Sequence, residues 1–233
     1  MCFFLWIRRP PRSTHCISSA ASDVYTGQTW SNPETIDNDV EVDFRASPWV
    51  TAEGSDIAVV WSDRDSSGGA SSEQDILYAT SGDGGSSWSA ANQISEHYYE
   101  ADSWMPALAT SGDSLYLAYW DGGDLNQQSD SNGNDAHGDD GDIFFRHSGD
   151  DGESWSDPVV ISNFDEDGDT NGYSVEQTDY RPSISASGDY VYVAWVDYGL
   201  YDEDGLLDYD ILMSVSSDRG SNWGTPFIIS DHG

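Results

Sequence analysis

Lysine is absent from this chain of 233 residues, and its eight basic residues are all arginine. Against them stand 43 Asp and Glu, giving a formal net charge of −35 at pH 7. A chain of this sign repels polyanions, which excludes nucleic acid and anionic membrane surfaces as partners; it attracts cations, Ca²⁺ above all. Cysteine is nearly missing as well: Cys2 and Cys16 stand alone near the start. The rest offers no disulfide framework, and the redox compartment is not legible. No apolar run approaches the roughly 18 residues that cross a bilayer, so no membrane insertion is expected. Segments with helical period and caps are also lacking. What the chain does have is ten Trp and thirteen Tyr, enough apolar surface to form a core in spite of the charge. The acids read as a solvated shell of a kind suited to high salt.

The opening "MCFFLWIRRPPRST" holds three of the eight arginines. Its apolar run, Cys2 to Ile7, is shorter than the roughly 7–15 residues of a signal peptide, and the charges follow it rather than precede it. The stretch resembles translated sequencing-adapter DNA. Residues 1–16 are therefore set apart as a non-native leader, and residues 17–233 are read as one repeat-built segment of a longer protein.

The repeat is visible in one phrase. "SGDGGSSW" spans Ser81–Trp88, "SGDDGESW" spans Ser148–Trp155 and "SSDRGSNW" spans Ser216–Trp223. A worn version, "DVYTGQTW", spans Asp23–Trp30. The four tryptophans lie 58, 67 and 68 residues apart. After each box come an outer stretch ("WSAANQIS", "WSDPVVIS", "WGTPFIIS"), an acidic loop, and a Pro that opens an alternating run. Then follow a strongly β run ("IAVVWSD", "LYLAYWD", "VYVAWVD"), a second acidic loop, and a run that leads into the next box ("DILYATS", "DIFFRHS", "DILMSVS"). Four short β runs repeated at this spacing are the pattern of a propeller blade. The expected fold is all-β: a partial β-propeller of four-stranded antiparallel blades, at about 30–88, 88–155 and 155–223, with the start of another at 224–233. A blade cannot bury both faces alone, so Trp61, Tyr119 and Trp195 are expected to fill the space between blades.

Each box residue has a local structural role. Asp83, Asp150 and Asp218 can accept hydrogen bonds from turn N–H groups. Gly85, Gly152 and Gly220 permit positive φ. Trp88, Trp155 and Trp223 are expected to cover the apolar side of their own hairpins, and Ser81, Ser148 and Ser216 complete the motif. The boxes therefore read as fold signatures, not catalytic sites. The pattern S-x-D-x-G-x-(S/T)-W resembles the Asp-box, or BNR repeat, of the sialidase (neuraminidase) superfamily, from about Val24 to the C-terminus. Asn222 departs from it, and Tyr25 stands in place of the Asp in the worn copy. The resemblance implies a ring of six blades, of which about three are present, the others supplied by the rest of the chain or by self-association.

It also implies a chemistry to look for: three arginines clamping a substrate carboxylate, a Tyr–Glu nucleophile and an Asp general acid. One family arginine lies in (F/Y)-R-I-P. "FRASP", Phe44–Pro48, and "YRP", Tyr180–Pro182, are similar to it, making Arg45 and Arg181 the candidate clamp; "WMP" puts Met105 in that place between them. The bland reading pairs each arginine with a nearby acid. No Tyr, Glu or Asp can be singled out as nucleophile or acid.

In a four-stranded antiparallel blade the 1–2 and 3–4 turns share one face, so the long acidic loops lie opposite the boxes. Those loops, at 121–142, 165–179 and 197–210, would repel an anionic sugar and favour neutral or cationic ligands. "DGDTNGYS" has the D-x-D-x-N-G spacing of a Ca²⁺ loop: Asp167, Asp169 and Asn171 as ligands, Tyr173 through its carbonyl, and Asp179 for the Glu missing at the twelfth position. A solvated acidic loop is the alternative. The five histidines show no zinc spacing. Two functions stay open. One is a non-catalytic extracellular or surface propeller that binds glycan or protein, stabilised by calcium. The other is an exo-sialidase or related glycoside hydrolase with part of its site elsewhere.

Overall fold

In the computed structural model, the described residues are 32–33, 35–36, 45–64, 74–95, 102–122, 141–162, 178–201 and 207–230. The chain divides into two units, Met1–Thr35 and Ile36–Gly233, and the strands of the described residues lie in the second. Blade 1 comprises β1 (Arg45–Glu53), β2 (Asp56–Arg64), β3 (Gln74–Ser81) and β4 (Asn92–Gln93). Blade 2 comprises β5 (Ser103–Ser111), β6 (Ser114–Asp121), β7 (Asp142–Ser148) and β8 (Val159–Val160). Blade 3 comprises β9 (Thr178–Ser187), β10 (Tyr190–Tyr201), β11 (Leu207–Ser216) and β12 (Phe227–Ile228). Each is a four-stranded antiparallel sheet in simple up-and-down order. No helix occurs among the described residues, and none is long and apolar enough to cross a membrane. The all-β, partial-propeller expectation is what the structure has.

The first two strands of each blade join through Gly54, Gly112 or Gly188, at φ +63°, +61° and +60°, as a two-residue hairpin requires at its first central position. Alternation then gives each sheet two apolar faces. Ala58, Val60, Ile76 and Ile94 of blade 1 pack on Leu108, Leu115, Leu117, Tyr119 and Phe144 of blade 2. The opposite face of blade 2 (Tyr116, Ala118, Ile143, Phe145, Ile161) packs on Ile184, Val191, Val193, Trp195 and Leu212 of blade 3. Trp61, Tyr119 and Trp195 are all buried; Tyr119 and Trp195 fill the two blade interfaces. Arg146, on β7, is a buried strut: Nε donates to Ser156 O at 2.7 Å and Nη1 donates to Ile94 O of blade 1.

Two expectations need correction. The strand-opening prolines do not open strands. β1, β5 and β9 begin earlier, and each Pro sits in a bulge where two residues face one: Ser47–Pro48 opposite Trp61, Met105–Pro106 opposite Tyr119, Arg181–Pro182 opposite Trp195. Pro lacks the N–H a ladder needs, and a bulge is where a sheet tolerates it. The box tryptophans do not serve their own hairpins alone. Trp155 meets Tyr78 of blade 1 edge-on at 5.6 Å, and Trp223 meets Phe145 of blade 2 at 4.8 Å. The box is thus an inter-blade contact as well as a turn.

Candidate functional site

The boxes lie on one face with the 1–2 turns: Gly84 N donates to Ser55 O, Asp151 N to Asp113 O and Arg219 N to Asp189 O, at 2.9–3.2 Å. In each box one serine hydroxyl is the hub. Ser148 Oγ donates to Asp150 Oδ1 at 2.7 Å and accepts from Gly152 N at 2.9 Å; Ser81 and Ser216 do the same. Asp83 and Asp150 are held down to about 2, first by the hydroxyls of Ser87 and Ser154. Asn222 replaces that hydroxyl with its amide, Nδ2 to Asp218 Oδ2 at 2.6 Å, and Asp218 is lowered likewise. In all three of these boxes the motif serine and aspartate are engaged in holding the turn.

The other end of the strands carries a different row. Pairing sets Arg45, Asp63 and Asp75 side by side in blade 1; Ser103, Asp121 and Asp142 in blade 2; Asp179, Asp197 and Asp210 in blade 3. A serine closes each row. Ser95, Ser162 and Ser230 donate to Asp75, Asp142 and Asp210 at 2.9, 2.9 and 2.5 Å, and accept from the N–H of Ile76, Ile143 and Ile211. Ser103 Oγ donates to Asp121 Oδ2 at 2.6 Å. Asp121, Asp179, Asp197 and Asp210 are buried, so these four acids, which the sequence places with the solvated loops, belong instead to the strands. The signal was present: every second run ends in Asp, every third opens with Asp-Ile, and every outer stretch after boxes 1 to 3 ends in Ile-Ser.

The first position of the row differs in each blade, and in blade 3 it places two carboxyl groups together. Burial, then the neighbouring Asp197, pushes Asp179 well above the usual carboxylate range, against the opposing hydrogen bond from Ser162. Asp179 therefore keeps its proton where an ordinary aspartate has lost it, because two adjacent buried carboxylates cannot both ionise cheaply. Its Oδ1 is buried and accepts no hydrogen bond.

Arg45 and Arg181 do not occupy one register position. Arg45 pairs across from Asp63, two places ahead of the bulge, while Arg181 is the bulge residue itself, at φ +50°. The equivalents of Arg181 are Met105 at φ +52° and Ser47 at φ +51°. Arg181 is exposed. Arg219 instead pairs with Asp189 at 2.7 Å, and Arg146 is the buried strut. Of the calcium candidates, Asp167, Asp169, Asn171 and Tyr173 lie outside the described residues. Among the described residues no three His, Cys, Asp or Glu side chains group as a metal site.

Three stacked four-stranded blades define a partial β-propeller. No protein-family model and no curated protein matches the chain. Solved structures do. A Hadza microbial sialidase superposes with a TM-score of 0.51 at 18% identity, over 77% of this chain and 36% of its own. A family 117 glycoside hydrolase of the marine bacterium Zobellia galactanivorans gives 0.51 at 12% identity, over 81% of this chain and 58% of its own. A protein of unknown function from Dyadobacter fermentans gives 0.50 at 16% identity, over 77% and 53%. At these identities the likeness is one of fold. The chain spans between about a third and three fifths of the lengths of these proteins.

Proposed function

We propose that the chain is part of an extracellular or cell-surface propeller that binds a neutral glycan at its loop face without hydrolysing it. The observation that carries this is the bulge. Of its three equivalent positions on the first strands, only Arg181 is basic, while Ser47 and Met105 are uncharged. Gripping a carboxylated sugar calls for converging guanidinium groups, and the buried acids behind this rim oppose an anionic ligand further. Glycans are the natural ligand class because two of the structures that share the fold are a sialidase and a family 117 glycoside hydrolase. Hydrolysis is the second reading, favoured by Asp179: a carboxyl group kept protonated beside a second carboxyl is what a general acid needs.

Calcium is proposed as a structural ion of the 163–177 crossover, held by Asp167, Asp169, Asn171, the Tyr173 carbonyl and Asp179. The buried Asp179 Oδ1 that accepts no hydrogen bond fits a cation's need for oxygen. Two assays decide between binding and hydrolysis. Titration with neutral and sialylated oligosaccharides is expected to show saturable binding of neutral sugars only, weakened by Arg181→Ala. A fluorogenic sialoside in high salt is expected to be stable. Turnover that disappears in Arg45→Ala or Arg181→Ala overturns the binding reading, and captured protein with no captured glycan points to a protein ligand instead.

A further inference from the structure

The register makes positions in the blades directly comparable, and the joint between blades 1 and 2 differs from the joint between blades 2 and 3. Ala58 and Tyr116 stand at one position, each next to the residue that pairs with the box serine: Ile57 with Ser81, Leu115 with Ser148. Both face the blade that follows. The Tyr116 ring fills its joint, fully buried and stacked on Phe145. Ala58 offers only a methyl group, and on the box face its joint keeps a cleft of about 140 Å³. Ile57, Ala58 and Leu115 give that cleft an apolar floor.

The rim changes as well. Glu53, Asp56 and Asp151 line the cleft and are exposed. The same three positions at the next joint are Ser111, Ser114 and Arg219. There the chain supplies the cation itself: Arg219 pairs with Asp189 at 2.7 Å. At the first joint the matching pair is Asp151 with Asp113, acid beside acid. Burial, then Asp113 and Asp56, push the Asp151 carboxyl up. Glu53 is already fixed in place, since its Oε2 accepts from Gly112 N across the joint at 2.8 Å, as Ser111 Oγ accepts from Gly188 N at 3.0 Å. No basic residue stands among the described residues that line the cleft, so this joint lacks the positive charge that its neighbour holds. Nor do three of the described acids group as a metal site, and a bare ion would leave the apolar floor wet. An ammonium on an aliphatic stem matches both parts: the stem covers the floor and the head lies in the field of the three acids.

We propose that the cleft between blades 1 and 2, on the box face, takes a lysine side chain of a partner protein. Its small volume suits one aliphatic side chain, and the exposed acids at its rim stay in reach of a peptide that continues past it. None of the 233 residues is lysine, and the net charge of −35 steers basic segments toward the chain. The site lies opposite the long loops, so it does not depend on which ligand the loop face takes.

Titration of the isotope-labelled full chain with the blocked peptide acetyl-Gly-Lys-Gly-amide tests this, at about 0.1 M salt, where the screening length is about 10 Å. The expected result is saturable shifts of the Gly82, Gly112 and Leu115 amide signals. Acetylating the lysine Nζ should weaken binding roughly tenfold. Glu53→Gln combined with Asp56→Asn should do the same, with Gln keeping the oxygen that accepts from Gly112 N. Ala58→Leu should block the cleft with its acids intact. Glu53 and Asp56 are exposed, so their double variant should keep the parent's tryptophan fluorescence, and it decides the matter even if Ala58→Leu does not fold. The absence of saturable shifts overturns the proposal. So does binding that survives acetylation or loss of the two acids, or shifts that sodium chloride reproduces at the same concentration. Tighter binding of free butylammonium than of the peptide overturns the protein partner.

Discussion

At the scale of single residues, the aspartates divide by what surrounds them, and the division fixes the pH response. Asp83 and Asp150 are held near 2 by serine hydroxyls and N–H groups. Their folded values lie below the unfolded one, so their stabilisation is present above about pH 4 and is lost as pH falls toward 2. Asp179 has the opposite sign. Its folded value is raised, so the native state holds a proton that the unfolded state releases, and stability falls as pH climbs from about 4 through that raised value. Asn is close to Asp in shape but cannot ionise. In chelator, Asp179→Asn should therefore melt at nearly the parent temperature in acid and progressively above it toward neutral pH. Melts from pH 3 to 8 check this; a gap that stays flat, or favours the parent at pH 8, removes the buried carboxyl pair from the account. The chemistry of this pair was not legible in the sequence, because the second carboxyl arrives from a neighbouring strand 18 residues on, through the pairing of Asp179 with Asp197.

At the scale of elements, the box was legible as a turn but not as a joint. The glycines were marked for positive φ, and Gly85, Gly152 and Gly220 adopt +86°, +92° and +84°. What packs on Gly152 and Gly220 comes partly from one repeat earlier in the chain, Thr80 and Tyr78 on the first and Phe145 on the second, beyond any local reading. A Cβ on Gly220 would overlap the Phe145 ring of blade 2, whereas a Cβ on Gly188 would meet open space. Both glycines have positive φ, so the pair separates backbone strain from inter-blade overlap. Gly188→Ala should cost about 1 kcal/mol. Gly220→Ala should cost that plus about 1–3 kcal/mol of overpacking. Urea unfolding measures both; equal costs would mean that the blade 2–blade 3 contact gives way freely at the box. The same limit explains the prolines. A Pro at the head of an alternating run looks like a boundary. Only the register shows that Arg181, Met105 and Ser47 are bulge residues and that Arg45 stands two places away.

At the scale of the whole molecule, charge and core were both legible, but their arrangement was not. The repeat called for stacked four-stranded blades, and Trp61, Tyr119 and Trp195 lie buried as their place in the repeat requires. The acids read in sequence as a solvated coat, yet Asp121, Asp179, Asp197 and Asp210 are buried within strands. Two kinds of cation response should follow. The exposed acids repel one another with few arginines to offset them, since Arg146 is committed to backbone carbonyls and Arg219 to Asp189. Screening by any salt relieves that repulsion, so the melting temperature should rise between about 0.02 and 1 M with sodium and potassium alike. A structural calcium ion would add a saturable rise at far lower concentration, absent with magnesium at equal ionic strength, because Mg²⁺ demands a smaller, stricter shell. Asp167→Ala should abolish the second rise and spare the first. If calcium and magnesium titrations superimpose, the crossover holds no specific ion and the acids act only through their summed field. If calcium alone stabilises and Asp179→Asn also weakens that effect, the buried carboxyl of blade 3 is a ligand of the ion.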